Sequence, residues 1–338
     1  MSDPRYSLPP LHPAVQLGLS RATYADYRRG VERFMLARKL TYTKLVFLRT
    51  SQIDRRFASY LRQLYDNEGS MHTGENARNG LHLWLPRTKN RLRESHTILH
   101  YWARQRKQQS YPPIPRNVVM LVAVSLARRG DLHAAVAVLL SFDCYLRVNE
   151  CLNLTRADVT IPTDRRLGGD IHEKTTIHLR KTKTLDNLSC VVHDPVVARL
   201  LHRIVASLPT PASRLFPLTE TAYREHHFKG TLRRLGFGHL GFVPHSLRHG
   251  GATHDYVIAG MTPEYIVRRG RWASAKSADR YIQQLRAVDM TFLIPAELDQ
   301  KGARFHEYLE AIMDDFVGDD EGFAPLPPLS QAVSDRRL

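Results

Sequence analysis

Apolar residues in the first hundred positions recur at spacings of three and four, the period of an amphipathic helix. A first helix is predicted from Ser20, with an apolar face formed by Tyr24, Tyr27, Val31, Phe34 and Met35. The same period predicts helices over 51–66, 74–85 and 90–107. Four short helices in sequence indicate a small all-α domain.

The same pattern predicts which side chains point inward. In the second helix the inward face is formed by Ile53, Phe57, Tyr60, Leu61 and Leu64. In the fourth helix it is formed by Leu92, His96, Leu99 and either Tyr101 or Trp102. The polar faces are rich in arginine and lysine, as in ARKLTYTK and RTKNRLR.

Proline residues divide the chain. Residues 1–14 contain four prolines and are predicted to form an extended arm. The stretch YPPIP at 111–115 contains three, which indicates a stiff connector. The predicted organisation is therefore the arm, a helical domain at 15–110, the linker at 111–115, a second domain at 116–290 and a C-terminal tail at 291–338.

The second domain begins with helical patterns up to residue 153, and the segment LHAAVAVLLSFDCYLRVNECLNL is so apolar that we expect it to be central. The period then changes. Runs rich in β-branched residues, ADVTI, KTTIHLRKTKT and NLSCVVH, predict a small antiparallel sheet within 157–193. Further helices are predicted at 195–207, 219–234, 246–259, 263–269 and 275–286. The predicted fold class is mainly α with a small antiparallel β-sheet, in two domains.

Capping residues sharpen two of these predictions. Thr262 and Pro263 suit the cap and the first residue of the helix at 263–269. Gly270 is expected to end that helix. A serine, Ser274 or Ser277, is expected to start the next one.

The charge balance points to a polyanionic partner. The 338 residues include 49 Lys and Arg against 33 Asp and Glu, a net charge of +16, with 43% hydrophobic residues. Residues 291–338 hold four basic and ten acidic residues, a net −6, so residues 1–290 carry +22. The strongly basic part is therefore the body of the protein, and nucleic acid is the commonest partner of such a surface.

The tail contains a second amphipathic pattern. In KGARFHEYLEAIMDDFVGDDEG, one helical face is formed by Phe305, Tyr308, Leu309, Ile312, Met313 and Phe316. The other face is acidic, so we expect the helix to dock on protein rather than on DNA. Ile294-Pro295 and the polar ELDQKG stretch suggest a connector that leaves the domain. Docking on a neighbouring protomer is favoured over docking on the same chain.

Other classes of protein are disfavoured. Cys144, Cys151 and Cys190 are odd in number and include no CxxC, which argues against a disulfide framework or a zinc site. A reducing, intracellular compartment fits best. The N-terminus lacks the apolar run of a signal peptide, and no stretch approaches 18 apolar residues, so no membrane association is expected.

Four short motifs contain the candidate chemistry. Arg147 lies three residues before Glu150 in LRVNE, and His245 lies three residues before Arg248 in HSLRH. Such spacings put both side chains on one side of a helical turn. Lys181 and Lys183 fall in the predicted hairpin, and Trp272 precedes Tyr281 by nine residues. Taken singly, each also fits a cap, a core position or a solvated surface.

In this order, the residues resemble the catalytic domain of the tyrosine recombinases, the phage-integrase family. That family's signature is an arginine in an L-R-x-x-E context, a hairpin lysine, H-x-x-R, a His or Trp, and a tyrosine nine residues later. The resemblance covers roughly 113–290, and the preceding helical domain matches the family's core-binding domain in size and position. RHGGAT and GRW most resemble recombinases of eukaryotic mobile elements.

The resemblance implies a C-shaped, two-domain DNA clamp that cuts and rejoins DNA through a 3′-phosphotyrosine, with no cofactor or metal. It implies that Tyr281 attacks the phosphorus while Arg147 and Arg248 grip the non-bridging oxygens. His245 and Trp272 would add hydrogen bonds, and Glu150 would orient the arginines. The family's T-K-T turn favours Lys183 over Lys181 as the general acid.

The implied partner is double-stranded DNA with paired target sites, bound by a homotetramer that exchanges C-terminal helices. Deleting residues 301–338 would then leave single-site binding intact and abolish assembly. The expected location is on intracellular DNA, in the nucleus of a eukaryote or otherwise in the cytoplasm.

Two alternatives remain: a type IB topoisomerase that relaxes DNA, and a domesticated DNA-binding protein without catalysis. The complete set of catalytic residue types argues against the latter.

Overall fold

The computed structural model describes residues 4–105, 111–162, 174–181, 186–307, 309 and 311. The chain divides into two compact units, Met1–Gln109 and Ser110–Leu338. Both are mainly helical, and the second contains a small antiparallel sheet. The predicted fold class is therefore confirmed. The predicted lysine Lys183 and the tail beyond residue 311 lie outside the described residues.

The described residues of the first unit contain six α-helices. They are α1 (Pro13–Leu17), α2 (Arg21–Ala37), α3 (Tyr42–Phe47), α4 (Thr50–Asp66), α5 (Met71–Trp84) and α6 (Arg93–Gln105). Ser20 caps α2 by accepting a hydrogen bond from the Thr23 amide at 3.1 Å. The core includes Phe34 and Phe57, whose rings meet edge-on with centroids 5.2 Å apart. The four predicted helices are present, because each has a long apolar face to bury.

The sequence pattern differs from the structure of this unit in several respects. The arm at 1–14 was predicted to be extended but contains a 3-10 turn at Pro4–Tyr6 and the first residues of α1. Helices α1 and α3 were not predicted, since five or six residues are too few to establish a period. His96 was predicted to point inward but is exposed. Ser95 is buried in its place, and its hydroxyl donates to the Asp54 carboxylate at 2.6 Å. Trp102, not Tyr101, is the buried aromatic of α6.

The second unit is built around two apolar helices, α7 (Arg116–Ala127) and α8 (Leu132–Asp143). Residues Ala134–Phe142 of α8 are all buried, so this helix is central, as predicted. The remaining helices are α9 (Val148–Leu152), α10 (Pro195–Ser207), α11 (Gly230–Arg234), α12 (Pro244–Val257), α13 (Pro263–Arg269), α14 (Ala275–Asp279), α15 (Gln284–Phe292) and α16 (Ala296–Glu307). None of the helices in the described part of the chain has the length and apolar run needed to cross a membrane.

The sheet has three antiparallel strands in the order β1 (Val159–Thr160), β2 (Thr176–Lys181) and β3 (Asp186–Val191). Val159 pairs with Ile177, and Ile177 pairs with Cys190, so one apolar row crosses the sheet and joins the core. Lys181 pairs with Asp186, and residues 182–185 connect the two strands.

Two predicted helices are interrupted. The helix predicted at 219–234 is a π-helical segment, Ala222–Lys229, followed by α11. The helix predicted at 275–286 ends at Asp279, and α15 begins only at Gln284. The caps of this region were predicted correctly, because Thr262 caps α13 and Ser274 caps α14.

Helix α12 packs closely on the end of α8, and this contact requires a glycine. A Cβ added at Gly251 would come within 2.1 Å of the Phe142 carbonyl oxygen and 2.8 Å of the Tyr145 ring. No side chain fits there. The glycine pair after His249 therefore lets α12 approach the chain segment that leads into Arg147.

Helix α16 packs along α7 of the same chain. The Asn117 side-chain amide donates to the Asp299 carboxylate at 2.9 Å, and Phe305 and Leu309 pack against the core. The ELDQKG stretch is thus part of a docked helix, and the prediction of a connector there was wrong. It docks because Leu298 and the following apolar positions form one face with Phe305.

Candidate active site

The structure brings six of the seven predicted residues together. Arg147 is the N-cap of α9 and Glu150 lies within it. His245 and Arg248 lie on α12. Trp272 follows α13, and Tyr281 lies in the turn after α14 rather than on a helix. The seventh residue, Lys183, lies in the connection between β2 and β3 that is outside the described residues.

Arg147 and Glu150 form a reciprocal pair at the start of α9. The Glu150 carboxylate accepts the Arg147 backbone amide at 2.9 Å and also a short hydrogen bond from the Arg147 guanidinium. The Arg147 side chain is 28% exposed, whereas that of Glu150 is 5% exposed. Burial alone would raise the pKa of Glu150, but the hydrogen bonds and charge of Arg147 and the charge of Arg248 hold that pKa below its usual value. The carboxylate stays ionised and orients the arginine.

Arg248 is fully buried. Its Nη1 donates to the Tyr145 carbonyl oxygen and its Nη2 to the Gly270 carbonyl oxygen at 2.8 Å. Nη1 lies 3.8 Å from the Glu150 carboxylate. Burial first, and then the charges of Arg147 and Arg271, lower the pKa of Arg248 to about 10. The guanidinium therefore remains charged at neutral pH, fixed by two helix ends.

Trp272 and Tyr281 pack on this guanidinium. Their ring centroids are 4.7 Å apart. The Arg248 Cζ lies 4.7 Å from the Trp272 ring centroid and 5.1 Å from that of Tyr281, within cation–π range. Gly270 leaves room for the indole, because a Cβ there would lie 2.0 Å from Trp272 Cζ3.

Two buried N–H donors in the cluster have no acceptor. These are Nε of Arg248 and Nε1 of Trp272, and neither has a hydrogen-bond partner among the described residues. An unmade hydrogen bond of a buried donor costs about 1–3 kcal/mol. Buried donors of this kind are available to hydrogen bond with a bound ligand.

His245 is the third polar group beside the tyrosine. Its ring centroid lies 5.7 Å from that of Tyr281 and 5.9 Å from that of Tyr111. Burial and the charges of Arg248 and Arg147 lower the pKa of His245 to about 4. The imidazole is therefore neutral at pH 7, with one N–H to donate and one nitrogen to accept.

The Tyr281 backbone is fastened to α12. The Thr253 hydroxyl donates to the Tyr281 carbonyl oxygen at 2.9 Å and accepts from the Gln283 amide at 3.2 Å. These bonds replace helical hydrogen bonds and explain why α14 stops before Tyr281. No group among the described residues hydrogen bonds to the Tyr281 hydroxyl. The arrangement concentrates guanidinium groups and N–H donors beside the Tyr281 phenol, which suits chemistry on a phosphate ester.

Two of the solved structures with a similar fold are integrases bound to DNA. The Tn1549 transposon integrase in complex with circular intermediate DNA matches with a TM-score of 0.57 and 15% identity, over 82% of this chain and 97% of that chain. A lambda integrase dimer bound to a COC′ core site matches with a TM-score of 0.53 and 14% identity, over 80% of this chain and 74% of that chain.

The chain has the tyrosine-recombinase fold. No protein-family model and no curated protein matches its sequence. The likeness of this chain to the tyrosine recombinases is thus one of fold, and the roles of its side chains rest on the geometry of the cluster itself.

Sequence motifs missed some residues that this tyrosine-recombinase fold brings to the cluster. His249 is buried, its ring lies 4.6 Å from that of Tyr281, and its Nδ1 is 2.8 Å from the Gln283 side-chain amide. Burial and the charges of His245 and Arg248 lower the pKa of His249 to about 3. Its spacing of four from His245 was the available signal. Gln283 and Arg271 were also missed, because no motif or spacing in the sequence marks either residue.

Proposed function

We propose that this protein is a site-specific DNA recombinase that acts on intracellular DNA, cutting and rejoining it through a 3′-phosphotyrosine intermediate. The observation that supports this best is the cluster itself. His245, Arg248 and Trp272 pack around Tyr281, whose hydroxyl has no hydrogen-bond partner among the described residues, and Glu150 links Arg147 to Arg248. A phenol among fixed cations and N–H donors matches what phosphoryl transfer requires, namely positioning and charge stabilisation.

In the proposed first step, the Tyr281 oxygen attacks the phosphorus of a DNA phosphodiester. The bond from phosphorus to the Tyr281 oxygen forms while the bond to the 5′ oxygen of the next nucleotide breaks. The Tyr281 hydroxyl loses its proton to solvent, and the departing 5′ oxygen takes up a different proton. Lys183 is the proposed donor of that second proton, by the resemblance of its T-K-T context to the family's hairpin.

The remaining groups stabilise the charge that develops on the non-bridging oxygens. Arg147 and Arg248 supply permanent positive charge and planar pairs of donors. The Nε1–H of Trp272, which has no acceptor among the described residues, and the N–H of neutral His245 add hydrogen bonds. Glu150 holds Arg147 in place. Reversal of the step by a 5′ hydroxyl restores the phosphodiester, and the phosphotyrosine ester keeps the energy of the broken bond for rejoining.

DNA binding is proposed to involve both units, with residues 15–110 as a core-binding domain and 116–290 as the catalytic domain. The +22 charge of residues 1–290 supports this. We expect the affinity for duplex DNA to fall steeply with salt between about 50 and 200 mM, with a slope near −0.9 per phosphate contact. Fluorescence anisotropy with a labelled duplex measures this. A flat affinity over that range would contradict extensive phosphate contact.

Strand exchange between two duplexes needs four active sites, so we propose a tetramer on DNA. Helix α16 supports an exchange of C-terminal segments, because a helix that docks on α7 of its own chain fits the identical α7 of a neighbour equally well. Deleting residues 301–338 would test this poorly, since it also removes Phe305 and Leu309 from the core. A cross-link between α7 and α16 distinguishes docking within one chain from docking between chains.

Asn117 and Asp299 touch across the α7–α16 contact. With both replaced by cysteine and joined by a short thiol cross-linker, the free protein is expected to link within one chain. On DNA with paired sites it is expected to link between chains, which denaturing gels without reductant resolve. The single Asp299→Cys variant is the control. Recombination by a protein that still links only within one chain would refute exchange.

Incubation with supercoiled plasmid, and with a plasmid carrying paired target sites selected by the protein from random DNA, tests the function. The proposal predicts exchange between the sites, seen as inverted or excised segments. Relaxation without exchange would identify a topoisomerase-like activity. Binding with neither product would identify a DNA-binding protein without catalysis.

A further inference from the structure

Two helices of the second unit end on a residue in the left-handed conformation that is not glycine. Tyr145, just after α8, has a φ of 49°, and Arg271, just after α13, has a φ of 56°. They are the only such residues among those described in this unit. The amides of Arg271 and Trp272 bond to the carbonyls of Arg268 and Val267, the hydrogen-bond pattern that normally selects glycine at the left-handed position. A bulky residue held there indicates a side chain with a function.

The two helix ends are joined by the Arg271 side chain. Its Nη2 donates to the carbonyl oxygens of Cys144 at 3.2 Å and Tyr145 at 3.3 Å. Its Nη1 donates to the Arg269 carbonyl oxygen at 3.1 Å. Nη2 also lies 3.6 Å from the Glu150 carboxylate, and the side chain is only 5% exposed. One guanidinium therefore ties the end of α13 to the turn that leads into Arg147.

Arg248 makes a parallel tie between the same segments. It bonds to the Tyr145 carbonyl oxygen, as Arg271 does, and to the carbonyl oxygen of Gly270. Arg248 also packs on Trp272 and Tyr281, whereas the terminal nitrogens of Arg271 face protein carbonyls. The two arginines thus have different roles, although both donate to the Tyr145 carbonyl oxygen.

We propose that Arg271 is a positioning residue for strand cleavage. It holds the Arg147 turn against the segment that carries Trp272, so that both reach the same phosphate. The inference rests on the proposed recombinase function. Arginine is needed because its planar fork donates to several carbonyls at once, while a lysine ammonium at the end of a flexible chain does not hold that geometry. A displacement of about 1 Å in such a site costs on the order of 100-fold in rate.

The test compares Arg271→Gly, Arg271→Lys and a control, Arg268→Ala. Glycine adopts the left-handed φ without strain, so Arg271→Gly removes the guanidinium and keeps the path of the helix end. Arg268 is exposed on the same helix, and its loss removes the same charge. The measurements are the dissociation constant for DNA and, with DNA saturating, the rate and the amplitude of single-turnover covalent cleavage.

For Arg271→Gly we expect a cleavage rate lowered about 100-fold, with DNA affinity and final amplitude unchanged. If Arg271→Gly only caused partial unfolding, the amplitude of cleavage would fall while the rate stayed at the wild-type value, and that result would overturn the proposal. Arg271→Lys should recover only part of the rate, and Arg268→Ala should cleave as the wild type does. A wild-type rate in Arg271→Gly, or full recovery with lysine, would also overturn it.

Hydrogen exchange gives a readout that does not depend on activity. Peptides covering 144–152 and 267–273 should exchange faster in Arg271→Gly than in the wild type, and equally in Arg268→Ala. Unchanged exchange would overturn the positioning role even if the wild type failed to cleave DNA. Failure of the wild type to cleave, with faster exchange in Arg271→Gly, would instead count against the recombinase function alone.

Discussion

We expect the Tyr281→Phe variant to bind DNA as the wild type does and to form no covalent complex with it. The phenyl ring keeps the packing on Trp272, His249 and Arg248, and only the hydroxyl oxygen is lost. Without a nucleophile the cleavage rate should fall on the order of 10⁴-fold or more, in effect below detection. Denaturing gels of protein incubated with radiolabelled target DNA measure the adduct.

Tyr265→Phe is the matched control for this variant. The Tyr265 hydroxyl lies 3.2 Å from the His193 ring nitrogen and belongs to a different hydrogen-bonding group. Its loss should leave adduct formation at the wild-type level. An adduct in Tyr281→Phe that survives denaturation would move the nucleophile to another residue, with Tyr265 and Tyr256 as the next ones to replace.

Replacing either arginine of the cluster by alanine should reduce cleavage of bound DNA by about 10³-fold, the usual loss when a charge-stabilising group is removed. The two variants should differ in stability. Arg248 is fully buried, so Arg248→Ala removes a buried charge beside Glu150, the side-chain donor to the Gly270 carbonyl oxygen and one of two donors to the Tyr145 carbonyl oxygen. Its free energy of unfolding should fall by about 3–5 kcal/mol. Arg147 is partly exposed, and its loss should cost less.

Single-turnover cleavage and thermal unfolding of the same preparations separate the two effects. Arg248→Lys is the informative companion, because it keeps the charge but does not hold both carbonyl oxygens. We expect it to regain stability more fully than cleavage. If Arg147→Ala and Arg248→Ala cleaved bound DNA at the wild-type rate, the arginines would have no role in the chemistry.

Local sequence signals predicted much of this molecule. The bounds of α10 and α13 agree with the prediction to the residue, because Asp194 and Thr262 are strong caps followed by proline. The change from helical spacing to β-branched runs predicted the sheet. Spacings of three on a helical turn drew attention to Arg147 with Glu150 and to His245 with Arg248, whereas Trp272 and Tyr281 were selected by the resemblance to the tyrosine recombinases.

The rest depends on contacts between distant parts of the chain. The Arg271 side chain donates to the carbonyl oxygen of Cys144, 127 residues earlier in the chain, and no residue near Arg271 in the sequence predicts that contact. The break between α14 and α15 lies where the Thr253 hydroxyl donates to the Tyr281 carbonyl oxygen and accepts from the Gln283 backbone amide. Helix α16 docks on α7, where Gly302 packs against Asn117. Periodicity predicts which face of an element is apolar, but it does not predict which other element covers that face.

The central claim is that Tyr281 attacks the phosphorus of a DNA phosphodiester and becomes joined, through that phosphate, to the 3′ end of the cut strand. The most direct measurement uses wild-type protein and a target duplex with a nick close to the cleavage site, so that the cut fragment diffuses away and the adduct accumulates. Protease digestion and mass spectrometry then identify the modified peptide. We predict a nucleotide joined through its 3′ phosphate to Tyr281, with a free 5′ hydroxyl on the released fragment. An adduct on another residue, attachment through a 5′ phosphate, or intact DNA binding with no adduct would contradict the account.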